Sequence, residues 1–102
     1  MVRIAALIAC LGLLVLVPAA SAKSCGSTSG GFNRHITATG ATCSTARAVA
    51  RGWLHSVERG HDGTRRVIQG FACVNTPIPQ SSAAVHVRCT RGGAVIKWVA
   101  AP

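Results

Sequence analysis

The start of the chain has a hydrophobic pattern unlike that of the rest. An uncharged apolar run occupies residues 4–17, Arg3 precedes it, and Ala20, Ser21 and Ala22 follow it after a proline. A positive start, an apolar middle and a small-x-small end are the three parts of a secretory signal. The apolar run is shorter than the ~20 residues that a membrane-spanning helix needs. We therefore predict a signal peptide over residues 1–22, cleavage after Ala22, and a secreted mature protein without stable membrane insertion.

One segment of the mature chain, from about Cys43 to Arg59, has the periodicity of an amphipathic helix. Thr42 precedes this segment as a candidate N-cap, and Gly52 within it costs ~1 kcal/mol relative to alanine. A glycine there permits a close approach to a neighbouring sheet. The apolar face of the predicted helix consists of Cys43, Ala46, Ala50, Trp53, Leu54 and Val57. Its polar face consists of Ser44, Arg47, Arg51, His55 and Glu58.

The other patterned segments alternate apolar and polar residues, as strands do. We predict strands over residues 32–39, 64–73, 84–90 and 94–100. Between the last two, residues 91–93 have the composition of a tight hairpin turn. Their apolar positions, which we expect to face the helix, are Ile36, Ala38, Val67, Phe71, Cys73, Val85, Val87, Cys89, Ile96 and Trp98.

The element order is therefore β-α-β-β-β. Such an order indicates an α+β domain of two layers, in which one helix packs on one face of a small sheet. Residues 23–31 are rich in glycine and serine, so we predict an irregular arm there, followed by a single domain over residues 32–102. The sequence contains no internal repeat and no pattern that would indicate a second domain.

Cysteine usage indicates how so small a domain is held together. Cleavage removes Cys10 and leaves Cys25, Cys43, Cys73 and Cys89. An even number of cysteines in a short exported chain predicts a disulfide framework. A chain of this length buries only ~60% of its unfolded surface, and each disulfide adds roughly 2–4 kcal/mol. No Cys-x-x-Cys or His-x-x-x-His spacing occurs, so we predict no zinc site, no other metal and no cofactor.

The predicted topology favours one of the three possible pairings of these cysteines. If the first strand runs upward, the helix descends and the three later strands run up, down and up. Cys43 at the start of the helix and Cys73 at the end of the second strand then lie at the top. Cys25 before the first strand and Cys89 at the end of the third lie at the bottom. We therefore predict Cys43–Cys73 and Cys25–Cys89.

The net charge narrows the class of partner. The formal charge of the chain is +9, and the loss of Arg3 leaves +8 on the mature protein, whose acidic residues are Glu58 and Asp62. Such an imbalance repels itself in the folded state, so we interpret it as serving solubility or an acidic partner. An anionic cell-envelope polymer and an acidic protein are the candidate partners outside a cell. A GC-rich genome is an alternative origin for the arginines, but not for the scarcity of carboxylates.

No catalytic constellation emerges from the sequence, and we predict that the protein is not an enzyme. A serine triad needs a buried carboxylate behind its histidine, and a glycosidase needs two carboxyls across a cleft. Glu58 and Asp62 fit neither arrangement. His55, Glu58 and Arg51 share one helix face, and this arrangement leaves a secreted nuclease as a further, less favoured hypothesis. Because a general acid and base should face each other across the substrate, a solvated helix face is the simpler interpretation.

Two sets of basic residues are candidates for anion binding. One is expected on the sheet face that points away from the helix, and its alternative is the ordinary polar side of an antiparallel sheet. The other lies on the helix. Sheets that bind nucleic acid usually add aromatic rings for stacking, whereas most of the rings here are needed in the core, so we predict no sequence-specific nucleic-acid binding. The sheet set is His35, His86, Arg88 and Lys97, and the helix set is Arg47 and Arg51, which form a basic stripe with His55.

The segment over residues 74–82 suggests an inhibitor of an extracellular enzyme as the runner-up function. Pro77 and Pro79 stiffen this predicted exposed loop, and Cys73 anchors it. Small disulfide-bonded inhibitors present such preorganised loops to a protease. An ordinary long hairpin connection has the same composition, so both interpretations stay open.

Three short patterns carry a resemblance to known proteins. Residues 43–47 read Cys-x-x-Ala-Arg, residues 70–73 read Gly-aromatic-x-Cys, and residues 89–92 read Cys-x-x-Gly. Their arrangement resembles that of small secreted actinobacterial four-cysteine proteins of unknown function, over nearly the whole mature chain. The resemblance implies export and a shared fold, and it implies no catalytic or binding residue.

Overall fold

The computed structural model describes residues 21–28, 30–60, 63–81 and 83–101. Cys10 and all but the last two residues of the predicted signal peptide lie outside these described residues. One helix and six strands make up the described part of the chain. In order they are β1 Lys23–Gly26, β2 Asn33–Thr39, α1 Cys43–Glu58, β3 Arg65–Ile68, β4 Phe71–Pro77, β5 Val85–Arg91 and β6 Ala94–Ala100.

The six strands form one antiparallel sheet in the order β1-β2-β6-β5-β4-β3. Strands β3 to β6 follow one another as a meander, and β2, from before the helix, pairs with β6. The α+β class, with one helix on a sheet and two disulfides, is thus confirmed, although the sheet has two strands more than predicted. Within the described residues, no helix combines the length and apolar character needed to cross a membrane.

The first additional strand arises from a turn that the alternation pattern conceals. The sequence predicts one strand over residues 64–73, whereas the structure divides it at Gln69 and Gly70. Both residues have positive φ, 51° and 80°, and Ile68 pairs directly with Phe71 across them. Two-residue hairpin turns of this kind usually carry Asn-Gly or Asp-Gly, and glutamine weakens that signal. As a result, β5 and β6 run opposite to their predicted directions.

The second additional strand lies in the segment predicted as an irregular arm. Strand β1 pairs with the end of β2, with Lys23 opposite Ala38, and a bulge interrupts the pairing between Ser24 and Gly26. Serine and glycine give this strand little propensity of its own. Pairing with β2 and the disulfide of Cys25 hold it in place, and composition does not reveal either constraint.

The core lies between the helix and one face of the sheet. Trp53 of the helix meets Trp98 of β6 edge to face, with ring centroids 6.1 Å apart. Val57, predicted on the apolar face of the helix, is 38% exposed, whereas Val49 is fully buried. The buried apolar residues of the helix and sheet other than cysteine are Ile36, Ala38, Ala46, Val49, Ala50, Trp53, Phe71, Val87, Ile96, Trp98 and Ala100.

Two polar contacts fix the position of the helix. The hydroxyl oxygen of Thr42 accepts a hydrogen bond from the backbone N–H of Thr45 at 3.1 Å, which confirms the predicted N-cap. Asn33, fully buried in β2, donates from Nδ2 to the backbone oxygen of Ala50 at 3.0 Å. The second contact ties the middle of the helix to the sheet.

Replacing Gly52 by alanine should lower the free energy of unfolding by about 1 kcal/mol, although alanine is the better helix former. A Cβ atom at this position would lie 2.8 Å from Cγ2 of Ile68. Overpacking of this kind costs about 1–3 kcal/mol, more than the ~1 kcal/mol of helix propensity gained. In an Ile68→Ala background the same substitution should instead stabilise the protein. Urea unfolding of the wild type, the two single variants and the double variant shows whether alanine at position 52 raises or lowers the free energy of unfolding in each background. Stabilisation in both backgrounds would contradict the close approach of Gly52 to Ile68.

The cysteines pair differently from the prediction. The structure joins Cys25 to Cys43 and Cys73 to Cys89, with Cα–Cα distances of 5.2 Å and 4.0 Å. The predicted pairs Cys43–Cys73 and Cys25–Cys89 are therefore wrong. The turn after β3 reverses the strands that follow, so Cys89 comes directly opposite Cys73 in the β4–β5 register. Strand β1 runs back along β2, and this brings Cys25 to the start of the helix.

Candidate anion-binding face of the sheet

The surface of the sheet that points away from the helix holds most of the predicted anion-binding residues. Side chains alternate between the two faces of a strand, and the buried residues of β4, β5 and β6 face the core. The residues between them form the opposite surface, which we call the outer face. Its members on these three strands are Ala72, Val74, Thr76, His86, Arg88, Thr90, Val95, Lys97 and Val99.

Antiparallel register aligns the cations of the outer face across neighbouring strands. Arg88 on β5 lies directly opposite Lys97 on β6. On its other side Arg88 pairs with Val74, which in turn pairs with Arg65 on β3. Neighbouring strands are ~4.8 Å apart, so three exposed cations share one row that extends over about 14 Å.

The two histidines of the predicted sheet set, His35 and His86, lie beside this row and line a shallow depression together with Arg88 and Lys97. His86 precedes Arg88 by two residues on the same strand, and both are exposed. The register of β2 with β6 shifts after Arg34, and the bulge, where His35 has a φ of 55°, leaves these two consecutive residues exposed. Arg34 donates from Nε to the backbone oxygen of Gly31 at 2.7 Å. The depression has a volume of about 430 Å³.

The sequence prediction misses Arg65 because it treats residues 64–73 as one strand. A continuous strand places Val67 on the helix side together with Phe71. The two-residue turn that begins at Gln69 changes this alternation, so Arg65 and Val67 point outward, and Val67 is 72% exposed. The Gln-Gly pair is the signal that could have found Arg65. Arg34, by contrast, reaches the outer face through the β2 bulge, for which the sequence has no clear signal.

The charges of the outer face are of one sign. Glu58 is the one acidic residue among those described, and it lies at the end of the helix. Like charges directly opposite each other on neighbouring strands destabilise a sheet, and Arg88 and Lys97 are such a pair. An anion between their side chains would replace this repulsion by two charge-assisted hydrogen bonds.

The predicted helix residues are on the other side of the molecule, apart from the outer face. Arg47 is half-buried and donates from one guanidinium nitrogen to the backbone oxygen of Cys25 at 3.2 Å. Arg51 is exposed. His55 and Glu58, which belong to the nuclease hypothesis, are also exposed on this helix. Their positions add nothing to that hypothesis, which stays a prediction.

A separate cleft of about 410 Å³ lies between the C-terminal half of the helix and the sheet. Arg66 beside it donates to the backbone oxygen of Gly63 at 2.7 Å and to the hydroxyl oxygen of Ser56 at 3.3 Å. Its guanidinium carbon lies 5.5 Å from the centre of the Trp53 ring, an arrangement worth ~0.5–1 kcal/mol at exposed sites. We therefore assign Arg66 to packing and not to anion binding.

The segment considered for protease inhibition is a loop only in part: residues 74–77 belong to β4, against the prediction, and residues 78–81 form a hydrogen-bonded turn. Pro77 is the last residue of β4, and beyond it the backbone N–H of Ile78 donates to Ala84 at 3.2 Å. The N–H of Ser81 donates back to Ile78, also at 3.2 Å. These bonds are those of an ordinary connection between β4 and β5. The inhibitor function stays a prediction.

The described residues include no group of three histidine, cysteine, aspartate or glutamate side chains that could hold a metal ion. No family model, curated protein or solved structure matches the chain. The geometry and charge of the outer face are therefore the basis for a functional assignment.

Proposed function

We propose that this protein is an exported, non-catalytic domain whose outer face binds an anionic polymer of the cell envelope or the acidic surface of a partner protein. The observation that carries the proposal is the direct pairing of exposed Arg88 and Lys97 on neighbouring strands. The sheet gains no stability from two like charges in this arrangement. An anionic ligand makes the same arrangement favourable.

The shape of the outer face favours an extended ligand over a small molecule. Small-molecule sites usually bury 70–90% of their ligand, whereas the depression beside Lys97 opens onto the exposed sheet. The row from Arg65 to Lys97 presents three cations over about 14 Å. A single exposed ion pair contributes only ~0–1 kcal/mol, so useful affinity needs several contacts at once. A linear polymer with an anionic group in each repeat provides them.

The two disulfides support the proposed export. Disulfides persist in oxidising compartments and are rare in the cytosol. Residues 1–22 have the composition of a secretory signal, and we propose that they are removed. Outside the cell, the mature chain is exposed to wall polymers and to acidic proteins.

The affinity of the oxidised protein for long-chain polyphosphate should fall steeply with salt. For single-stranded polyanions, log K falls with log salt by ~0.7 for each charge contact. Contacts from Arg34, Arg65, Arg88 and Lys97 predict a slope of about −3 and roughly a 50-fold loss between 50 and 200 mM NaCl. Calorimetric titration at several salt concentrations measures the slope. Binding that is insensitive to salt would reject the proposal.

Polyglutamate as a second probe separates the two classes of partner. Tighter binding of polyphosphate at equal salt favours a phosphate-bearing envelope polymer, because a phosphate has more acceptor oxygens for the Arg88 guanidinium. Tighter binding of polyglutamate favours an acidic protein. Failure to bind either probe at 50 mM NaCl would contradict the proposed function.

A further inference from the structure

A second row of cations runs along the helix. Arg51, His55 and Arg59 lie on its exposed side, which faces away from the sheet, and Arg47 lies at the border of that side, where it contacts β1. Residues four positions apart lie on one side of a helix, and the buried residues, which include Ala46, Ala50 and Trp53, are on the opposite side. The row and the outer face are therefore on opposite sides of a two-layer domain, with the core between them. We call the row the helix stripe; its members are Arg47, Arg51, His55 and Arg59.

The helix stripe has the same kind of unfavourable charge arrangement as the outer face. Like charges at positions i and i+4 destabilise a helix, and Arg47 and Arg51 are related in this way. Arg51 and Arg59 are exposed, whereas Arg47 also donates to the backbone oxygen of Cys25. Glu58, next to Arg59, offsets part of the charge at the end of the helix. With three arginines and one carboxylate, the helix stripe should bind anions more weakly than the outer face.

We infer that the helix stripe is a second anion-binding surface and that one copy of this protein joins two anionic polymer strands. The inference rests on the proposed function of the outer face. A polymer strand bound along the outer face leaves the opposite side of the domain free, so the helix stripe is open to a second strand. Both surfaces belong to one domain stapled by two disulfides, and many such copies turn separate strands into a network. Each added copy raises the effective local concentration of the strands for one another.

Clustering of polyphosphate-coated beads tests bridging separately from binding. Two bead populations of different colour are mixed with the oxidised protein, and mixed-colour clusters are counted by flow cytometry. We expect clusters at intermediate protein concentration and their loss at excess protein, because each bead is then saturated on its own. Sedimentation velocity of the protein alone gives its oligomeric state. If clusters form only at concentrations where the protein is a dimer, two outer faces suffice and the inference is overturned.

Two double variants test whether the outer face is responsible for binding and the helix stripe for bridging. Arg51→Gln with Arg59→Gln should raise the protein concentration needed for clustering by at least about 10-fold, since the bivalent advantage is lost. Its binding to one bead population should fall by less than about 3-fold, through long-range electrostatics alone, because the stronger surface remains. Arg88→Glu with Lys97→Glu should lose both high-affinity binding and clustering. Circular dichroism establishes that each variant is folded.

The two variants also separate the failure of bridging from the failure of the proposed function. Clustering by the folded helix variant at wild-type protein concentrations would overturn bridging and leave the outer-face proposal intact. Binding of single beads by the folded sheet variant at wild-type affinity would contradict the proposed function itself. Binding without any clustering by the wild-type protein would likewise overturn bridging alone.

Discussion

Lys97→Glu should bind polyphosphate about 10-fold more weakly than the wild-type protein and should nevertheless be more stable. The loss of one exposed charge contact costs up to ~1 kcal/mol, and the reversed charge adds a repulsion of similar size, so the two together account for a fall of about 10-fold. The new carboxylate lies directly opposite Arg88. An opposite-charge pair in this register adds ~0.2–1 kcal/mol to a sheet. Affinity should therefore fall while stability rises, whereas a variant with a damaged fold would lose both.

Lys23→Glu is the matched control for this variant. Lys23 is exposed on β1 and pairs with Ala38, whose side chain faces the helix. The substitution changes the net charge by the same amount as Lys97→Glu but on the other side of the sheet. We expect its affinity to fall by less than about 3-fold, through long-range electrostatics alone. Calorimetry and urea unfolding measure both variants. Equal losses of affinity would show that net charge, and not the outer face, determines binding.

Replacing Cys73 and Cys89 together by alanine should lower the free energy of unfolding by about 3 kcal/mol or more. The two cysteines are 16 residues apart, and closing a loop of about this length in the unfolded chain is worth ~3 kcal/mol. Both side chains are also buried, at 1% and 0% exposure, so their truncation removes core packing as well. Small domains have only ~5–15 kcal/mol of stability in total. The variant should therefore unfold at a much lower urea concentration.

Replacing Cys25 and Cys43 by alanine is the comparison for this pair. The loop has a similar length, with a separation of 18 residues, but the disulfide ties the edge strand β1 to the helix, and Cys43 is only half-buried. We expect a smaller loss of stability and faster hydrogen exchange confined mainly to β1. Peptide mapping without reduction should recover both observed pairs. A larger loss for Cys25 and Cys43, or a mapped Cys43–Cys73 bridge, would contradict the structure.

The elements with strong local signals were predictable from the sequence. The helix has a clear apolar face and an N-cap at Thr42, and the alternation around His86, Arg88 and Lys97 places all three on one face of the sheet. These predictions depend only on neighbours in sequence, where periodicity is a direct physical constraint. That is why four of the six predicted anion-binding residues line one depression.

The disulfide pairing was not predictable, because it depends on the direction of the later strands, and that direction depends on one turn with a weak sequence signal. A single turn at Gln69 and Gly70 reverses every later strand and brings Cys89 beside Cys73. The position of Arg34 depends in a similar way on the bulge in β2, which arises from the pairing with β6 and not from the residues of β2 themselves. Arg47 and Arg51 were correctly placed on the helix, but only the assembled layers show that they are opposite the sheet face.

The most direct test of the outer face is a titration of ¹⁵N-labelled, oxidised protein with polyphosphate, followed by amide chemical shifts. At polymer concentrations below those that cause clustering, we expect the largest shifts on β5 and β6 around His86, Arg88 and Lys97, with further shifts around the β2 bulge at His35. Shifts at the helix stripe should appear only at higher polymer concentration. Binding in which the amides of β5 and β6 do not move would contradict the account.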